Sequence, residues 1–137
     1  MNPASVHVIR LHGPWEVRVD ESPAGRIRVP DGTPDLSECS GSELKLSRKF
    51  NSPTSLLPDQ NVDLVIEFDP EKQAEVDLLF NSEVKLSATT DAEIRMSIRR
   101  DLKPHNLIEV RCHLESAVQR RICIVSARLE IAPPSDR

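Results

Sequence analysis

Apolar and polar residues alternate along most of this chain with a period of two. That is the spacing of strands with one face in a core and the other in water. Trp15, Val17 and Val19 alternate with Glu16, Arg18 and Asp20, and Ile27 and Val29 with Arg26 and Arg28. Leu44, Leu46 and Phe50 keep one beat, broken only by Arg48. Val62, Leu64, Ile66 and Phe68 fall on one face of the next segment, with Asp63, Val65, Glu67 and Asp69 on the other. Val76, Leu78 and Phe80 follow the polar turn Pro70-Glu71-Lys72-Gln73. Val84 and Leu86 resume the beat, and Ile94, Met96 and Ile98 continue it. Ile108, Val110, Cys112 and Leu114 predict a late strand; Cys123, Val125, Ala127, Leu129 and Ile131 predict the last. No stretch carries an apolar stripe at i, i+3, i+4 and i+7.

Eight or nine short strands of this kind predict an all-β sandwich or barrel of antiparallel sheets. The Pro-, Gly- and Ser-rich stretch from Pro30 to Ser42 reads as a long surface loop, and Pro133 to Arg137 as a frayed tail. Neither a repeat nor a linker divides the 137 residues. The expectation is one domain over 1–137, with an ordered core over about 5–132.

The composition narrows the function classes. Hydrophobic residues at 38% and charged residues at 29% supply a core and argue against disorder. The formal net charge is −4, with both signs interleaved, which argues against a nucleic-acid partner. No apolar run is long enough to cross a bilayer, and Met1 to Arg10 lacks the pattern of a signal peptide. A cytoplasmic protein without a membrane partner is therefore expected.

Three cysteines are too few for a disulfide framework. Cys112 and Cys123 both fall on the apolar beat, and the five residues Glu115 to Gln119 between their strands suit a hairpin. The two thiols are expected to lie close together on one core face, unbonded.

Several segments resemble, in order, the sugar-binding domain of family 2 glycoside hydrolases. Leu11-His12-Gly13-Pro14-Trp15-Glu16-Val17 is similar to its "L-x-G-x-W-x-F/V" opening, and Arg28-Val29-Pro30-Asp31-Gly32 stands at its "V-P-G" turn. Leu46-Ser47-Arg48-Lys49-Phe50 resembles "Y-x-R-x-F", and Val62 to Asp69 the strand ending in "L-x-F-x-G-V". Ala74 to Val84 is similar to "A-x-V-x-V-N-G-x-x-V", with Asn81-Ser82 in place of Asn-Gly. Leu102 to Val110 is similar to "L-K-P-G-x-N-x-L-x-V". The matches cover roughly residues 10–114. The resemblance implies a jelly-roll, galactose-binding-like sandwich and brings carbohydrate in as a partner. No segment resembles the family's catalytic barrel, and Ala88-Thr89-Thr90-Asp91 replaces a segment usually rich in aromatics.

Trp15 is the only tryptophan and there is no tyrosine; its place in the alternation predicts a core residue rather than a sugar platform. Phe50, Phe68 and Phe80 also lie on the apolar beat. His7, His12, His105 and His113, with Cys39 and Cys112, lack the paired spacing of zinc ligands. Cys39 reads as a surface thiol with no base beside it. Asp20-Glu21, Asp69 with Glu71, and Glu75 with Asp77 read as solvated carboxylates rather than a glycosidase pair. Arg99, Arg100, Lys103, Arg120, Arg121, Arg26 and Arg28 read as charges protecting strand edges.

No catalytic, metal-binding or cofactor-binding residue is therefore assigned, and no ligand-binding residue stands out. No cofactor is expected; the alternative is a structural calcium in loop carboxylates. The leading expectation is a non-catalytic interaction domain that self-associates or docks on another protein. The alternative is a carbohydrate-binding module. An oligonucleotide-binding barrel fits neither the charge nor the aromatic count.

Overall fold

The computed structural model describes residues 6–20, 22–28, 43–54, 56–68, 75–113 and 124–133. Among these residues ten strands are formed: β1 (His7–Arg10), β2 (Trp15–Val19), β3 (Ser22–Ile27), β4 (Glu43–Asn51), β5 (Val62–Phe68), β6 (Val76–Phe80), β7 (Glu83–Thr89), β8 (Glu93–Ser97), β9 (His105–His113) and β10 (Ile124–Ile131). They make two antiparallel sheets, β1-β10-β5-β8 and β3-β2-β4-β9-β6-β7. The expected jelly-roll β-sandwich is the observed fold.

The alternation explains why the sheets face each other. In the larger sheet, Val17, Leu46, Val110, Leu78 and Leu86 are successive cross-strand partners, forming one apolar row over five strands. In the smaller sheet, Ile9, Leu129, Leu64 and Met96 make the matching row. These inner faces meet as one core. Leu11 stitches the sheets together. Its N–H donates to the Ala127 carbonyl (2.8 Å), and its own carbonyl accepts from Trp15 Nε1 (2.8 Å). The indole is fully buried with its one polar atom satisfied, as the beat predicts.

Four details depart from the sequence reading. β1 was not expected, because its residues are mostly exposed and only Ile9 packs on the core. Val65 lies on the outer face of β5, yet it is fully buried. Its cross-strand neighbours are Arg128 and Arg95, whose aliphatic stems can cover apolar surface while their guanidinium groups bind carboxylates. A β-bulge between Ile124 and Ser126 shifts the beat of β10, so Ile124 is buried and Val125 is exposed. Val84 is likewise exposed, on the outermost strand of its sheet.

The expected hairpin of the two cysteine strands is overturned. β9 and β10 belong to opposite sheets. Both edges of β9 are taken, by β4 and β6, and Cys112 lies between Leu44 and Val76. A strand with both edges paired has no backbone groups left for a third partner. Cys123, Cys39, the Pro30–Ser42 segment, the Pro70–Gln73 turn and residues 134–137 lie outside the described residues. Among the described residues, no helix is long and apolar enough to cross a membrane.

Candidate functional site

One end of the sandwich, where β4 and β6 finish and β9 begins, opens into a cleft of about 900 Å³. Its far wall is apolar, from Ile9, Leu11 and Leu129. Its near wall carries Arg48, Phe50 and Asn106 on adjacent strands, with Arg48 opposite Ile108 and Phe50 opposite Asn106. Phe50 is half-buried and packs on Phe80, with ring centroids 6.1 Å apart and planes inclined by 34°. Of the four aromatics, Phe50 is the one that lines the cleft. Trp15, Phe68 and Phe80 are buried.

The rim is held rigidly by two asparagines. Asn106 is buried; its Oδ1 accepts from the Lys103 N–H (2.9 Å), and its Nδ2 donates to the Lys103 carbonyl (2.8 Å). Asn81 Nδ2 donates to Asn106 Oδ1 (3.0 Å) and to the Asp101 carbonyl (3.1 Å). Asn81 Oδ1 accepts from the Leu107 N–H (2.8 Å). Asn81 and Ser82 form the two-residue turn between β6 and β7, with φ of 50° and 68°. Positive φ at both positions is the I′ geometry that a tight hairpin favours, and asparagine tolerates it well. A serine therefore serves here in place of the usual glycine. In the neighbouring register pair, His105 Nδ1 and Asn51 Oδ1 are hydrogen-bonded (2.9 Å).

The cleft's charge is one-sided. Arg10, Arg48, Lys49 and Lys103 line it together with His105, and no aspartate or glutamate does among the described residues. None of the four cations is ion-paired among the described residues, although the chain as a whole carries a net charge of −4. Arg48 is the residue that broke the alternation of β4. It occupies the inner row between Leu46 and Phe50, where its Nε is buried without a hydrogen-bond partner among the described residues. Its Nη1 reaches outward and donates to the Lys49 carbonyl (2.5 Å).

Other candidates resolve into structural roles. Asp77 Oδ1 accepts from the Ala88 N–H (2.8 Å), bracing an irregular stretch of β7 where Ala88 has φ of 51°. Arg99 and Arg100 lie in a 3₁₀ turn, Arg99–Asp101, between β8 and β9. For Arg99 this replaces the edge-protection reading: its Nε donates to the Gln60 carbonyl (3.1 Å) and ties down the β4–β5 connection. Arg26 does lie on an edge strand, β3. Lys103 belongs to the cleft. Burial pushes the Cys112 thiol up to about 11, with the nearby Asp77 carboxylate adding to the effect, which suppresses thiolate chemistry. His7, His12 and His105 are exposed and scattered, and no metal-ligand cluster occurs among the described residues.

No family model and no curated protein matches this sequence. Solved structures do. A β-glucuronidase from an uncultured Clostridium sp. superposes with a TM-score of 0.66 at 15% identity, over 97% of this chain and 30% of that one. A β-glucuronidase from Bifidobacterium dentium gives 0.65 at 14% identity, over 94% and 30%. A β-D-mannosidase from Dictyoglomus thermophilum gives 0.62 at 16% identity, over 82% and 16%. This chain has the fold of one β-sandwich segment of such glycosidases. It spans less than a third of the length of each. The resemblance read from the ordered motifs thus holds for the architecture, and at these identities it speaks to the fold alone.

Proposed function

We propose that this chain is a non-catalytic binding domain and that it takes a carbohydrate in the cleft between the ends of β4, β6 and β9. The observation that carries the reading is the make-up of that cleft. It sets one half-buried phenyl ring and an apolar wall beside arginine, lysine and asparagine groups on a rim braced by side-chain hydrogen bonds. Apolar surface with a few convergent polar groups is what a small-molecule site needs. The shared architecture with segments of a glucuronidase and a mannosidase supports a saccharide as the ligand class. Among the described residues no acid–base pair lines the cleft, and binding without turnover is the simplest chemistry that lining supports.

Protein docking is the second reading. It draws on the exposed Val8 and Val84, which lie on outermost strands of the two sheets. The exposed valines and Leu57 come from β1, β7, β10, the residue before β1 and the β4–β5 connection, and Val8 and Val84 belong to different sheets, which favours the cleft. A glycan array run alongside light scattering separates the two. Saccharide binding by a monomer supports the first reading; a concentration-dependent dimer with an empty array supports the second.

A further inference from the structure

The strand that walls the cleft contains an energetic conflict. Positions 44, 46, 48 and 50 of β4 share one face, and three of them hold Leu44, Leu46 and Phe50. The fourth holds Arg48, in register with the fully buried Ile108. A guanidinium N–H that is desolvated and unpaired costs more than a neutral one, because it forfeits hydration of a charged group. The protein leaves that N–H without a partner, and Arg48 also lines the cleft, where the rest of its guanidinium can meet an anion. Arg10, Lys49 and Lys103 add three positive charges there with no carboxylate to neutralise them among the described residues. Like charges gathered in a concave, partly apolar site focus their field on its centre. A guanidinium fork matches the two oxygens of a carboxylate or sulfate.

We infer that the cleft recognises an acidic saccharide through its carboxylate or sulfate group, with Arg48 as the anchoring residue. This rests on the reading of the cleft as a carbohydrate site and adds the ligand's charge. Half-buried Phe50 and Ile9 provide the apolar surface for the sugar ring. Lys103, held through its backbone by Asn106, stands at the rim where a charged substituent enters. Selectivity between a neutral sugar and its acid then comes from the cations, and not from ring stacking.

The test is calorimetry on the full chain with matched pairs, galactose against galacturonate and glucose against glucuronate. Galactose 6-sulfate, inorganic sulfate and a glutamate-rich hexapeptide complete the panel. The acid of at least one pair, or the sulfated sugar, is expected to bind about tenfold or more tighter than its neutral counterpart, as a charge-assisted contact implies. That preference should weaken with added salt. Arg48→Gln should remove it. Lys103→Gln, at an exposed rim position, should reduce it even if Arg48→Gln alters folding. Arg100→Gln, outside the cleft, should leave it unchanged. Equal binding of neutral and acidic sugars would overturn the inference while leaving the carbohydrate reading intact. Inorganic sulfate or the acidic peptide binding as tightly as the sugar acid would overturn the saccharide assignment. No binding by any member would overturn both readings.

Discussion

Asn81 Nδ2 donates to Asn106 Oδ1 over 3.0 Å, and this bond joins the β6–β7 turn to the first residues of β9. The two asparagines are 25 positions apart in sequence, and together they fix the backbone of Lys103, Asp101 and Leu107. The cleft rim is therefore set by amide hydrogen bonds rather than by packing. Asn106→Ala should cost about 1–3 kcal/mol, the usual penalty for orphaning partly buried polar groups. Urea denaturation checks it. A midpoint unchanged from wild type would mean that water replaces the amide at no cost.

Trp15 is a second point of leverage, because it fills the core and its Nε1 holds the Leu11 carbonyl. Trp15→Ala should destabilise the domain by about 3–5 kcal/mol, a large share of a typical total of about 5–15 kcal/mol. Trp15 emission should be blue-shifted and resistant to iodide in the wild type. Ready quenching would place the indole at the surface.

The outer face of the smaller sheet carries a charge network that gives a pH signature. Arg95 Nη1 and Arg128 Nε each reach Glu130 at 2.7 Å, and Arg128 Nη1 also reaches Glu67 at 2.6 Å. Arg95, and then Arg128, hold the Glu130 carboxyl below its ordinary range. A carboxyl lowered in the folded state adds stability above the unfolded value of about 4.3 and loses it as pH falls through the folded one. The stability gap between wild type and Glu130→Gln should therefore narrow below about pH 4 and shrink in high salt. Chemical denaturation from pH 7 to pH 3 measures it. A gap that widens in acid would contradict the assignment.

Cys112 gives the opposite sign. Its thiol is raised to about 11, so the folded state keeps its proton while an unfolded thiol near 8.5 loses it. The stability contribution is whole below that unfolded value and is lost as pH rises toward 11. Cys112→Ala should flatten this alkaline decline. Identical slopes for the two proteins would show that the thiol ionises as readily in the fold.

How much of this was legible in the sequence follows from which forces are local. The inner rows, such as Val17-Leu46-Val110-Leu78, could be read residue by residue because alternation records which face is buried. The strand partners of Cys112 could not, since pairing across sheets depends on which edges are already taken. Val125 misled because a bulge resets the beat without a sequence mark such as glycine. The cleft was hidden because its residues come from β1 and the residue after it, β4, the β6–β7 turn, β9 and the segment before it, and β10. Its signal was nevertheless present. Arg48 broke an otherwise apolar face, and Asn81 and Asn106 stood in two of the motifs that pointed to the fold.

The most direct test of the account is a backbone amide NMR titration with a saccharide that the array identifies. If the cleft is the binding surface, shifts should gather at residues 48–51, 81–82 and 103–107, with those of β3 and β8 unmoved. Shifts confined to the edges around Val8 or Val84 would contradict it and turn the account toward protein docking.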